Sequence, residues 1–324
     1  MKRILGIGNA LVDVMTILED DSVIHELGFL RGSMTLVDSL KSKQIRESTS
    51  QLKRKMASGG SAANTIHALG MLNVPAGFIG AIGKDDTGDF FEKELEAAGI
   101  KTYLLRKESD TGTAVALISP DSERTFATHL GAAIELSADD LEADNFSGWD
   151  WLYLEGYLIT DTDLVEKACN LARKKGMKIA IDLASFNVVE AFLDKFRNIT
   201  EKYVDLIFAN EEEARAFTSL KTDEALISLS ELCEIAIIKT GKKGSLIRRG
   251  KEVIKEDALE VESSDTTGAG DLYAAGFLYG LATGATLEKC ARYATILAGN
   301  IIQVVGARME RRKWASVIKT IGNV

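Results

Sequence analysis

Residues 151–154, 178–181, 205–208 and 235–239 are short, nearly continuous apolar runs separated by helical stretches, and this alternation limits the fold more than any other feature of the chain. Runs that are hydrophobic at almost every position suit strands covered on both faces. Such strands lie parallel, because the helices between them supply the long crossovers that parallel neighbours need. A closed barrel of strand–helix units would also fit the length, yet residues 12–38 and 101–131 are extended and rich in turn signals where a barrel needs helices. The expected architecture is therefore α/β: a doubly wound, mostly parallel central sheet flanked by helices, with a small β-sheet lid. Residues 1–11, 39–100 and 132–324 make the large domain in this reading, and residues 12–38 and 101–131 the lid.

The first half supplies similar units in a looser order. Residues 4–7 read as a strand ended by Gly8, residues 62–72 as a helix with Ile66, Leu69 and Leu72 on one face, and residues 77–82 as a buried strand. An amphipathic helix over 87–98 ends at Gly99, and residues 245–255 read as a hairpin turning at Arg249-Gly250.

A net charge of −9 opposes an indiscriminate grip on nucleic acid or on an anionic membrane. Cys169, Cys233 and Cys290 are too scattered for a zinc site or a disulfide framework. No run approaches the ~18 apolar residues of a membrane span. The basic-then-apolar start is interrupted by Asn9 and Asp13 and reads as a strand rather than a secretion signal. These features point to a cytoplasmic protein with small-molecule partners, no nucleic acid and no membrane, either a monomer or a homodimer.

Three segments carry the chemistry. Ser264-Asp265-Thr266-Thr267-Gly268-Ala269-Gly270-Asp271 runs straight into an apolar helical stretch, and glycines ahead of a helix expose N–H groups at its positive end, an anion site. Asp271 would repel a bound phosphate unless it had a task such as taking a proton from an attacking hydroxyl; complementing the helix dipole is the plainer alternative. Ser58-Gly59-Gly60-Ser61-Ala62-Ala63-Asn64 lets backbone approach a ligand, and Asn64 can both donate and accept. It also fits a capped helix with small packing residues. Asn210-Glu211-Glu212-Glu213 follows an apolar strand, where open α/β sheets place their sites, and its oxygens suit Mg²⁺ reached through water; an ordinary acidic first turn looks the same.

Other motifs fall short. Gly6-Ile7-Gly8-Asn9-Ala10-Leu11 lacks the third glycine of the dinucleotide fingerprint, and GxxxxGK[ST] is absent. His25, His67 and His129 have no metal-ligand spacing, and Arg308, Arg311, Arg312 and Lys313 read as a solvated helix face.

In their order and spacing the three segments resemble the ribokinase-like (PfkB) family of carbohydrate and nucleoside kinases, and the resemblance spans nearly the whole chain. It implies transfer of the ATP γ-phosphate to a hydroxymethyl group of a sugar or nucleoside, with Mg²⁺ and, in part of the family, K⁺. By that likeness Asp271 is the catalytic base, and the amides of Gly268, Ala269 and Gly270 form the anion hole. Asn210 and Glu213 organise Mg²⁺ and phosphate, Thr240, Gly241 and Gly244 lie beside ATP, and Asp265 and Thr267 hold a monovalent cation. Asn9 and Asp13 are similar to the GNxLxD pattern of the adenosine-kinase branch, which implies sugar contacts from Asn9, Asp13, Gly59, Gly60, Ser61 and Asn64. Tyr157, Phe186 and Phe126 would then form a slot for a base, with Arg124 swinging in from the lid to meet the phosphate. Thr267 and Ala63 depart from that branch, so a free sugar such as ribose or fructose stays open as the acceptor. A nucleoside-binding protein without catalysis is the alternative of another class.

Overall fold

The computed structural model describes residues 1–121 and 123–324. Along the chain its strands are β1 (Ile4–Ile7), β2 (Leu11–Ile17), β3 (Met34–Leu36), β4 (Arg54–Gly59), β5 (Ala76–Gly83), β6 (Lys101–Lys107) and β7 (Gly112–Ile118). There follow β8 (Arg124–His129), β9 (Trp151–Glu155), β10 (Lys178–Asp182), β11 (Leu206–Asn210), β12 (Ile235–Lys239), β13 (Ser245–Arg249) and β14 (Glu252–Glu256). Nine of them form one sheet in the order β14-β13-β12-β11-β10-β9-β1-β5-β6, and the other five form a second sheet, β3-β8-β7-β2-β4. In the large sheet only the β13–β14 hairpin at one edge runs antiparallel to its neighbours.

The apolar runs do what two-sided burial requires. Ile4, Trp151, Tyr153, Ala180, Leu206, Phe208, Ile235 and Ile237 point to one face, packed by helices Ser61–Met71, Ala269–Thr283 and Leu287–Ile301. Their neighbours Leu5, Ile7, Leu152, Leu154, Ile179, Ile181, Ile207 and Ile238 point to the other, covered by helices such as Thr162–Lys174 and Leu193–Tyr203. Helix Ala269–Thr283 is buried along most of its length and has no polar stripe, so it must be enclosed by protein. Gly276 and Gly280 leave room for the backbone of helix Leu287–Ile301, which a side chain at either position would strike.

The smaller sheet has its own apolar cluster, built from Leu18, Ile24, Leu27, Ile45, Val115, Leu117 and Ala127. The chain enters it directly from β1 through Gly8, Asn9 and Ala10, and leaves from β4 through Gly60 into helix Ser61–Met71.

Two expected boundaries need correction. Residues 101–107 are not part of the lid: β6 pairs with β5 along its length and forms an edge of the large sheet. Its residues are exposed or half-buried throughout, as suits an edge strand, and this imitates a strand of the small sheet. Residues 54–59, expected in the large domain, form β4 and pair antiparallel with β2 in the small sheet. The helix Ser39–Ser48, not anticipated from the sequence, precedes it and covers the small sheet.

Phe277, fully buried, meets Phe208 edge-on with ring centroids 5.9 Å apart and tethers the buried helix to the sheet. Replacing it with alanine should destabilise the protein by ~3–5 kcal/mol in chemical denaturation. A loss below ~1 kcal/mol would mean that this helix is not anchored through its aromatic contact.

Candidate active site

The site lies where the large sheet's strands end. Glu155, Asp182, Asn210 and Lys239 are the last residues of β9, β10, β11 and β12. Strand register sets Glu155 beside Asp182, and Asn210 beside Lys239. Asn9 lies just beyond β1. A row of polar side chains thus tops an otherwise apolar sheet, at the end where open α/β folds bind ligands.

Above that row, Gly268 starts helix Ala269–Thr283 with φ at +76°, a conformation natural to glycine, and a side chain there would press on Ala307. The N–H of Ala269 closes a turn on the Thr266 carbonyl at 3.1 Å. Among the described residues the amides of Gly268, Gly270 and Asp271 have no such partner and remain at the positive helix end. The expected three-amide hole therefore loses the Ala269 N–H to the turn.

Asp271 sits in the first turn of that helix, and both of its oxygens are held from across the site. Ser61 Oγ donates to Oδ1 at 2.7 Å, and Asn64 Nδ2 donates to Oδ2 at 2.8 Å. Thr65 Oγ1 donates to the Asp271 carbonyl at 3.1 Å. Ser61, Asn64 and Thr65 all lie on helix Ser61–Met71. Gly60, its preceding residue, adopts φ +94° and would drive a side chain into the Asn9 carbonyl. Burial pushes Asp271 up to about 6; the Asn64 and Ser61 hydrogen bonds oppose this, Asp182 adds to it and Lys239 opposes it. Asn64 Oδ1 is buried without a partner, an acceptor awaiting a donor.

On the lid side, Gly59 makes room for the Asp13 carboxylate, with which any side chain at that position would collide. Burial raises Asp13 to about 6, Arg308 pulls it down and Asp271 pushes it up. Asn9 Nδ2 donates to Glu155 Oε1 at 2.7 Å, while Glu155 Oε2 accepts the Ala62 N–H at 2.9 Å. Glu155, raised by burial to about 7, thereby ties Asn9 to the start of helix Ser61–Met71.

On the opposite side, Asn210 caps helix Glu211–Thr218 in a reciprocal box with Glu213: Asn210 Oδ1 accepts the Glu213 N–H at 2.8 Å, and the Asn210 N–H donates to Glu213 Oε2 at 2.7 Å. Lys239 Nζ donates to Asp182 Oδ2 at 2.9 Å. Burial alone would lower Lys239, but Asp182 and Glu213 outweigh it and hold it above its ordinary value. A side chain at Gly270 would come within 3.3 Å of Lys239 Nζ, so the ammonium stands beside the open amides.

Ser61, Tyr157, Asp182, Asn210, Glu213, Lys239, Gly241 and residues 268–271 line one cleft of about 430 Å³. Thr240 is buried behind it, where its N–H donates to the Gly244 carbonyl at 2.8 Å, and Gly244 backs onto the end of β14. Tyr157 and Phe186 stand 41% and 38% exposed on different elements, Phe126 lies on β8, and of the three rings Tyr157 lines this cleft. Arg124 reaches from β8 to Asp265 Oδ1 at 2.5 Å. Asp265 also accepts from Thr267 N and Oγ1 at 3.0 and 2.8 Å and from the Gly306 N–H at 2.7 Å. Arg124 thus places positive charge at Asp265, where the resemblance implied a monovalent cation.

The sequence reading missed Glu155, Asp182, Lys239 and Arg308. The rule that singled out Asn210, a polar residue ending a parallel strand, also describes the first three. Arg308 was misassigned: it precedes helix Arg311–Gly322 and is not on a solvated face, because its Nε and Nη2 donate to Ser58 O and Oγ at 2.9 and 2.8 Å.

Comparison with known proteins agrees with this geometry. Residues 35–313 match the model of the pfkB family of carbohydrate kinases. The crystal structure of an adenosine kinase from Sinorhizobium meliloti is 32% identical, superposes with a TM-score of 0.86, and is covered over 99% of its chain by 98% of this one. Adenosine kinase 2 of Arabidopsis thaliana is 26% identical over 94% of both chains, and an "uncharacterized sugar kinase" of Archaeoglobus fulgidus is 25% identical over 74% of this chain and 96% of its own. With a carboxylate and open helix-end amides facing one cleft, and a family match over most of its length, the chain belongs to the pfkB family of carbohydrate kinases and is a phosphotransferase to an alcohol acceptor.

Proposed function

We propose that this kinase transfers the γ-phosphate of ATP to the 5′-hydroxyl of a purine ribonucleoside such as adenosine. The observation that carries the reading is the placement of Asp271: its carboxylate heads a helix with open amides, yet is oriented by Ser61 and Asn64 from the segment next to Asp13. One carboxylate thus faces both a phosphate site and a pocket able to take sugar hydroxyls.

In the reaction, ionised Asp271 accepts the proton of the attacking hydroxyl. Charge on the phosphoryl group in flight meets the Gly268 and Gly270 amides, the helix end and Lys239 Nζ, all in place before the reaction starts. Family members use ATP with Mg²⁺. The donor set suits a largely hydrated ion arriving with the nucleotide, and Asn210, Glu213 and Asp182 are the residues that would hold it, where it would neutralise phosphate charge. Asp13, Asn9, Gly60 and the free Asn64 Oδ1 serve the sugar. Arg124, already at the loop through Asp265, brings lid charge to the phosphate side, and the lid excludes water.

Two facts favour the nucleoside: the Asn9/Asp13 pattern, and the adenosine kinases among the relatives. Thr267 and Ala63, which depart from the adenosine-kinase pattern, favour a free furanose as the second reading.

Asp271→Asn should fold normally and lose ~10²-fold or more in kcat. Because burial raises Asp271 to about 6, the base is ionised above that pH, so wild-type kcat should fall as pH drops through about 6. Turnover near the wild-type level in Asp271→Asn would exclude the base role.

The acceptor is decided by kcat/KM across adenosine, inosine, cytidine, ribose and fructose with ATP and Mg²⁺. A stacked base contributes ~1–3 kcal/mol, so Tyr157→Ala, which removes the ring that lines the cleft, should reduce adenosine use about tenfold and leave ribose unchanged, whereas Asp13→Ala should impair both. A preference of about tenfold or more for a free sugar would overturn the nucleoside reading.

A further inference from the structure

Residues 306–308 link the two halves of the site. The Gly306 N–H bonds to Asp265 Oδ2 at 2.7 Å, Ala307 packs against Gly268 of the amide loop, and Arg308 crosses to β4 of the lid. There its Nε and Nη2 take the carbonyl and hydroxyl of the fully buried Ser58, at 2.9 and 2.8 Å. Ser58 pairs with Val12, and the next residue pair in the ladder joins Ala57 to Asp13. Gly59, on the other side of Ser58, is the residue whose lack of a side chain admits the Asp13 carboxylate. The guanidinium is thus fixed on the residue between Ala57, which pairs with Asp13, and Gly59, over which the Asp13 carboxylate lies, and among the described residues that carboxylate has no hydrogen-bond donor of its own.

We propose that Arg308 is a positioning residue for the acceptor: anchored on Ser58, it keeps the Asp13 carboxylate ionised and aimed, so that Asp13 accepts hydroxyl hydrogen bonds from the sugar. The inference rests on the acceptor side of the proposed function. The charges around the pair are few. Asp13 faces Arg308 and Asp271; Arg308 faces Asp13, Asp271 and Glu94, and lies near His67, which is held neutral by burial with Arg308 contributing. Burial lowers Arg308 only to about 10, so it stays a cation throughout the working range. Asp13 is the group of the pair that titrates near neutrality, and removal of Arg308 takes away what favours its charged form. A carboxyl that picks up a proton loses acceptor capacity for two sugar hydroxyls.

The test is calorimetric binding of adenosine and of ribose, without ATP, across the acid and neutral range, in an Asp271→Asn parent in which Asp271 no longer titrates. Arg308→Gln should move the pH midpoint of binding up by about one unit. At a pH near the parent midpoint this weakens affinity by about fivefold. In an Asp13→Asn background the same substitution should move no midpoint and cost little affinity, whereas a purely structural strap would cost the same affinity in both backgrounds. Arg308→Lys, which keeps the charge but not the paired bonds to Ser58, should bind more weakly with the parent's midpoint. If Arg308→Gln does not fold, Arg308→Lys decides: a midpoint at the parent's value supports the inference, and one raised by ~1 unit overturns it. An unmoved midpoint in Arg308→Gln, or an equal loss with Asp13 absent, overturns the inference while leaving the kinase reading intact. A parent that binds neither probe at any pH overturns the acceptor reading and this inference with it.

Discussion

A single carboxylate, Asp271, is gripped from outside its own helix by Ser61 Oγ and Asn64 Nδ2. Those two bonds join segments more than 200 residues apart, as the separations of 210 and 207 positions show. They fix the approach of helix Ser61–Met71 to helix Ala269–Thr283, and with it the distance between the lid's exit and the amide loop. An unheld carboxylate at that depth would take a proton or turn outward, since burial is the largest influence on it. The rest of the site is arranged around keeping it charged and still.

Charge balance across the cleft follows the same logic. Asp182 is paired with Lys239, Asp265 with Arg124, and Glu213 with its helix cap. Each carboxylate near the phosphate side thus has a cation or N–H donors at hand, as buried charges require. Lys239 serves two ends at once, neutralising Asp182 while standing beside the Gly270 amide. The arrangement leaves Lys239 and the open helix-end amides as positive groups on the cleft of a chain whose net charge is −9.

Local patterns were legible and long-range ones were not. The apolar runs gave the parallel sheet because burial on both faces leaves a trace in consecutive residues, and the glycine segments announced helix starts because backbone geometry restricts the residue there. Glu155, Asp182 and Lys239 were hidden in plain view: each ends an apolar strand, but their meaning comes from neighbours 26 or more positions away, as Asp182 and Lys239 show across 57. Arg308 was lost in a basic run whose other members do belong to a helix. The exchange of β4 and β6 between sheets was hidden because strand pairing joins distant segments, β4 to β2 and β6 to β5, and neither sequence names its partner.

The strand order has a consequence for how the molecule is made. β1 lies between β5 and β9, so the first strand synthesised stays half-paired until residue 155 has left the ribosome. By then Asn9, Asp13, Gly60, Asn64 and Glu155 all exist, and the side of the site around Asp13 can assemble. The side around the amide loop cannot, because helix Ala269–Thr283 arrives more than a hundred residues later. During that interval the face of helix Ser61–Met71 that carries Ser61, Asn64 and Thr65 has no partner helix against it, while Ile66 already packs on β1. Helix Ala269–Thr283 covers that face and brings the amide loop with it in one step, so the reactive centre forms only once residues 268–283 have folded onto the earlier half.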